Sequence, residues 1–174
     1  MVKIGILSDT HIRSDSDPQK TNALLKELKR AFRDVDHIVH AGDVCEEPFL
    51  EKLKKIAPTK CVRGNMDDIP ELKSFLRFSI GKYTIGVIHQ LPSTTLEEFF
   101  REHKLHILIY GHSHQPLIKG TEFNTLLINP GSPTRPKAPA PRRGFTEPVA
   151  RPSVITLEID EDDMIKTFLI NLKM

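Results

Sequence analysis

The chain has no tryptophan, and only two tyrosines and two cysteines among its 174 residues. Two cysteines cannot build a disulfide framework. Cys45 and Cys61 also form no Cys-x-x-Cys pair, so both read as reduced thiols. No sign of charge dominates: 25 Lys and Arg face 23 Asp and Glu, for a formal net charge of +2. Without a basic excess, and with so few stacking residues, an extended nucleic-acid track is not expected. No apolar run is long enough to span a bilayer, so no membrane association is expected. The opening segment Met1–Leu7 turns polar too soon for a signal peptide and reads as a strand. The expectation is a cytoplasmic protein with a single domain over residues 1–174.

What is present is an alternation of short apolar runs with amphipathic stretches. Val2–Leu7 reads as a buried strand ending in Ser8-Asp9-Thr10-His11. Thr21–Asp34 carries Leu24, Leu25, Leu28, Ala31 and Phe32 at helical spacing. His37–His40 is a second strand, closed by Ala41-Gly42-Asp43. Pro48–Ala57 repeats the helical pattern. Lys60–Arg63 then runs into Gly64-Asn65-Met66-Asp67. Phe75–Ile80 and Tyr83–Ile88 flank Gly81-Lys82 as a hairpin, and the second ends at His89. Thr95 with Glu98 forms a capping-box pattern for a helix to His103. His106–Tyr110 leads to Gly111-His112-Ser113-His114. Leu117–Lys119, Glu122–Ile128, Val154–Ile159 and Ile165–Leu172 alternate like sheet. Residues 133–152, rich in Pro and Arg, read as a long ordered loop. Strand–helix alternation followed by strands predicts α/β layers: two packed sheets with helices outside.

Five strands in turn end in a loop bearing Asp, His or Asn. In open α/β sheets ligands gather at the carboxyl ends of strands, so five such loops predict one site. The residues collected there are Asp9, His11, Asp43, Asn65, His89, His112 and His114. Imidazole with carboxylate suits Zn, Mn, Fe, Co or Ni better than Mg or Ca. Asp9 and His11 are two apart, as are His112 and His114. Extended backbone would point each pair the same way.

Asp9-x-His11, Gly42-Asp43, Gly64-Asn65, His89 and Gly111-His112-x-His114, with the later Asn129-Pro130-Gly131-Ser132, follow the order found in calcineurin-like metallophosphoesterases. The chain resembles that superfamily over nearly its whole length, and its size resembles the small microbial phosphodiesterase branch. The resemblance implies a four-layer α/β/β/α sandwich of two mixed sheets. It also implies two divalent transition-metal ions, manganese first, with nickel, iron, cobalt or zinc as alternatives. Asp9, His11 and His114 would hold one ion, and Asn65, His89 and His112 the other. Asp43 would bridge them with one carboxylate oxygen on each. Two divalent ions against Asp9, Asp43 and a hydroxide leave a net charge of about +1, which suits an anionic phosphate. The implied reaction is hydrolysis of a small phosphate diester by a metal-bridging hydroxide. Asp43, Asn65 and His112 stand closest to catalysis, and Asn65 with Gln90 contacts substrate.

Two positions depart from the family pattern. Met66 stands where many members have a histidine that binds phosphate or protonates the leaving group. Gln90 stands where many have glycine. General-acid help is worth ~10²–10⁴ in rate, so its loss at Met66 should hurt poor leaving groups most. That counts against the first alternative, a phosphomonoesterase or nucleotidase. The second alternative is a non-catalytic protein-binding scaffold of the same fold; filled metal positions argue against it. Homo-oligomerisation is compatible with the sequence. His37, His103 and His106 read as ordinary surface or core residues, and His40 as a supporting group at best. Asp15, Asp17, Asp67 and Asp68 read as solvated loop carboxylates. Arg135, Lys137, Arg142, Arg143 and Arg151 read equally as a substrate-attracting rim or a charged surface loop.

Overall fold

A computed structural model describes residues 1–174. In chain order the elements are β1 (Val2–Leu7), α1 (Pro18–Ala31), β2 (His37–His40), α2 (Glu47–Lys54), β3 (Thr59–Cys61), β4 (Phe75–Ile80) and β5 (Tyr83–Ile88). There follow α3 (Leu96–His103), β6 (Ile107–Ile109), β7 (Pro116–Gly120), β8 (Leu126–Pro130), β9 (Ser153–Ile159) and β10 (Ile165–Asn171). They build two five-stranded sheets, ordered β10-β9-β1-β2-β3 and β4-β5-β6-β8-β7. Both sheets are mixed. Each contains three adjacent parallel strands, β1-β2-β3 in one and β5-β6-β8 in the other. Antiparallel strands complete them.

Period-2 alternation sorts the side chains into layers. Ile4 and Ile6 of β1, Val39 of β2, Val87 of β5, Ile107 and Ile109 of β6, Ile128 of β8 and Ile155 of β9 pack into one apolar cluster shared by the two sheets. On the outer face of the first sheet, Leu24, Leu28 and Phe32 join Phe49, Leu50 and Leu53 under α1 and α2. On the outer face of the second, Ile88, Leu108 and Leu127 meet Phe100 below α3. The result is the α/β/β/α sandwich.

The hairpin and the capping box sit where the sequence puts them. Ile80 pairs with Tyr83, the Thr95 hydroxyl accepts from the Glu98 N–H, and Glu98 accepts from the Thr95 N–H. Several boundaries fall elsewhere, among them that of the helix read over Pro48–Ala57, which is Glu47–Lys54, and two shifts have a clear local cause. The first helix begins at Pro18, because Asp17 caps it by accepting from the Gln19 N–H and a proline at the first helical position loses no hydrogen bond. The strand read over Glu122–Ile128 is Leu126–Pro130. The chain first turns at Thr121–Thr125, where the Thr121 hydroxyl accepts from the Thr125 N–H.

Candidate metal centre

Six parallel strands, three per sheet, all run toward one edge of the sandwich. Their C-terminal ends deliver Asp9 and His11 (β1), Asp43 (β2), Asn65 (β3), His89 (β5), His112 and His114 (β6) and Ser132 (β8). The site therefore straddles both sheets. Five of the seven predicted ligands adopt left-handed backbone: Asp9 (φ 55°), His11 (φ 47°), Asp43 (φ 58°), His112 (φ 68°) and His114 (φ 60°). The extended geometry expected for the two Asp/His-x-His pairs is thus replaced by turns that aim each residue separately. Non-glycine residues in this region cost of order 1 kcal/mol or more and cluster at functional sites.

The carboxylates are held by one oxygen and offered by the other. Asp9 Oδ2 accepts from the Ser8 hydroxyl at 2.6 Å and the His112 N–H at 2.9 Å. Asp9 Oδ1 has no hydrogen-bond partner although it is fully buried. It faces His114 Nε2 at 3.3 Å, His11 Nε2 at 3.8 Å and His89 Nε2 at 4.0 Å. Asp43 Oδ1 accepts from the Met66 N–H at 2.8 Å. Its Oδ2 lies between His89 Nε2 at 3.4 Å and His11 Nε2 at 3.7 Å. Oδ2 thus faces both imidazoles, while Oδ1 is held by the Met66 amide.

Two imidazoles are oriented by carbonyls. His89 Nδ1 donates to the Ala41 carbonyl at 2.8 Å, and His114 Nδ1 donates to the Arg135 carbonyl at 2.7 Å. A carbonyl only accepts, so the proton of the neutral ring sits on Nδ1 and the Nε2 lone pair faces the site. His89 Nε2 is buried without a partner. Burial opposes charge on both His89 and Asp43, but their mutual contact outweighs it, raising the imidazole and holding the carboxyl at about 2. Burial also lowers His11. Unsatisfied buried atoms on a carboxylate and an imidazole, within a carboxylate–imidazole donor set, fit a divalent transition metal. The ligand atoms form two groups, Asp9–His11–His114 and Asp9–Asp43–His89, each within 4.8 Å of one another.

Asn65 and His112 stand apart from this buried set. Both are exposed, and the His112 ring lies edge-on to His89 with centroids 5.2 Å apart. Asn65 and Gln90 line an open depression next to His89. Glycines let the loops approach. A Cβ at Gly64 would stand 2.2 Å from Asp43 Oδ1, and one at Gly111 would stand 1.9 Å from the Ser8 hydroxyl.

Several supporting residues do more than their sequence context suggested. Asp67 is no solvated carboxylate: it accepts from the N–H groups of Asp43, Cys45 and Gly64 at 3.0, 2.6 and 2.6 Å, clamping two ligand loops together. Asp68 pairs with Arg13 at 2.9 Å. Asn129 ties Gly111 to Gly131, and the Ser132 hydroxyl donates to the Asp9 carbonyl at 2.8 Å, so the Asn-Pro-Gly-Ser turn braces both loops. His40 contacts Thr10 and no other site residue by hydrogen bond. His106 accepts from the Thr84 N–H and His103 packs on Phe75 and Phe99, as ordinary structural residues.

A family model described as the calcineurin-like phosphoesterase superfamily domain matches residues 2–161. The chain belongs to the calcineurin-like phosphoesterase superfamily. It is 36% identical over 169 residues to a probable metallophosphoesterase of Methanothermobacter thermautotrophicus, covering 92% of this chain and 88% of that protein. Among solved structures, a conserved uncharacterized protein and predicted phosphoesterase from Streptococcus pneumoniae superposes with TM-score 0.73. It shares 23% identity, with 98% of this chain and 89% of that chain covered. Zinc-bound Vps29 from Entamoeba histolytica superposes with TM-score 0.70 at 23% identity, covering 98% and 99%. At that identity these two structures establish the α/β fold. The superfamily chain is of metallophosphoesterase type, and it carries a candidate metal cluster of Asp9, His11, Asp43, His89 and His114.

Proposed function

We propose that this protein is a dinuclear-metal phosphodiesterase. The carrying observation is the pair of buried ligand groups that share Asp9, with Asp43 Oδ2 between His11 and His89. Two adjoining ligand sets that share Asp9 support a reading with two ions. Bound divalent ions, manganese foremost and nickel, iron, cobalt or zinc as alternatives, would supply charge for the phosphoryl oxygens and acidify a water.

The chain's own residues set the terms of that chemistry. His11 and His114 with Asp9 would hold one ion. His89 and Asp43 would hold the other, with exposed His112 and Asn65 completing its shell. Asp43 would contribute to both, and the Met66 N–H on Oδ1 fixes the orientation of the carboxylate. The Ala41 and Arg135 carbonyls keep His89 and His114 in the tautomer that offers Nε2. Asn65 and Gln90, beside His89, would contact the substrate. Met66, 46% exposed at this rim, can neither donate nor accept a proton. Esters with good leaving groups are therefore the favoured substrates, and diesters are favoured over alkyl monoesters.

The test compares bis-p-nitrophenyl phosphate with p-nitrophenyl phosphate, using metal-stripped protein with single metals restored. Metal-dependent cleavage favouring the diester, abolished in Asp43→Asn, is expected. Binding of two ions per chain with no turnover under any metal would overturn the reading in favour of a scaffold role.

A further inference from the structure

The depression beside His89 extends beyond the metal ligands and is lined by two unlike kinds of side chain. Its volume is about 430 Å³, within the range of small-molecule sites. One wall is aromatic: Phe75 and Phe99 meet edge-to-face with centroids 5.7 Å apart. His103 packs behind both rings at 4.6 Å, so the wall is backed by a third ring. The lining also includes the polar residues Gln90, Ser74 and Arg63. Arg63 donates to the Ile69 carbonyl and has no carboxylate partner. Asn65 and His89 form the end nearest the metal centre. Larger cavities of about 580 and 450 Å³ share no residue with the ligand set.

The geometry points to this depression as a nucleobase subsite, so that the substrate class is a nucleotide-type phosphodiester. The inference rests on the phosphodiesterase reading above. A planar ring with polar edges suits a depression lined by both aromatic rings and hydrogen-bonding side chains. An acyl chain would leave Gln90, Ser74 and Arg63 without partners, and a bare sugar would leave the phenyl rings without a flat face to meet. The site takes one base, which agrees with a chain whose small net charge and few aromatic residues do not suit tracking a strand.

Calorimetric titration of manganese-loaded protein with adenosine 5′-monophosphate and with ribose 5-phosphate isolates the base, because both ligands share phosphate and sugar. Adenosine 5′-monophosphate is expected to bind about 10-fold tighter, the scale of one base–aromatic stack. Phe99→Ala should erase that preference and leave ribose 5-phosphate binding as in the wild type. Phe99→Leu, which keeps an apolar side chain in the wall, should do the same if the alanine variant misfolds. Equal affinities in the wild type, or a preference that survives both variants, overturns the subsite. A 10-fold preference without hydrolysis of bis-p-nitrophenyl phosphate would keep the subsite and remove the hydrolase reading. Hydrolysis without the preference would remove the subsite alone.

Discussion

His40 should make this fold acid-sensitive well above the carboxylate range. It lies fully buried at the end of β2, with Nε2 at 2.9 Å from the Thr10 hydroxyl and Nδ1 without a partner. Burial, reinforced by neighbouring His89, depresses it to about 3. In the unfolded chain it titrates near 6.5. The native state therefore excludes a proton that the unfolded state accepts. The stability this confers is fully present above pH 6.5 and declines as pH falls, until the native ring itself protonates near pH 3. Each unit in that window costs about 1.4 kcal/mol, so the loss at pH 5 is about 2 kcal/mol. That is a sizeable share of the ~5–15 kcal/mol typical of a domain. Urea unfolding of metal-free wild type and His40→Gln, at pH 7.5 and pH 5, reads the effect. The variant starts less stable, yet its loss between the two pH values should be smaller by about 2 kcal/mol. His11, also lowered by burial, is present in both proteins and cancels in the comparison. Asp43, held at about 2, loses its contribution only below about pH 4. Parallel acid limbs for the two proteins would refute the argument.

Gly111→Ala forces a Cβ to 2.6 Å from Asp9 Oδ2 as well as onto Ser8; a stability loss of ~1–3 kcal/mol and weaker metal binding should appear in denaturation and metal titration. Asp67→Asn cannot accept from all three turn amides, so it should cost ~1–3 kcal/mol in urea unfolding and loosen metal binding without touching an ion. Arg135 has its carbonyl on His114 and its exposed guanidinium free of any carboxylate partner. Arg135→Gln should raise KM for the diester several-fold at unchanged stability, and an unchanged KM would assign that charge to solvent.

How much of the centre was legible in the sequence depends on what holds each residue. The strand ends were readable, because an apolar run that stops at Asp, His or Asn is a local pattern, and β1, β2, β3, β5 and β6 each obey it. The layers were readable for the same reason: inward Ile4 and Ile6 alternate with outward residues, and the capping box at Thr95 needs only its own four residues. The left-handed backbone at Asp9, His11, Asp43, His112 and His114 was not readable, since nothing in a non-glycine residue announces it. Tertiary contacts impose it: Asp9 N–H donates to the Gly42 carbonyl and His11 N–H to the Asp43 carbonyl, 33 and 32 residues away.

The same distinction explains Asp67 and Asn65, which lie two residues apart in one loop. Asp67 reads as a loop carboxylate because its three amide partners come from two separate strand ends. Asn65 reads as a metal ligand, and its side chain is exposed while the neighbouring Met66 N–H makes the contact to Asp43. Position 66 therefore contributes through its backbone, which any non-proline residue can supply. This is why a methionine can replace the family's histidine there without disturbing the ligand set. A methionine side chain offers no proton, and the backbone contact to Asp43 is kept. Met66→His should thus restore a titratable group at the rim at little structural cost. It should raise monoester turnover relative to diester turnover, and an unchanged ratio would show that the side chain at 66 does not face the leaving group.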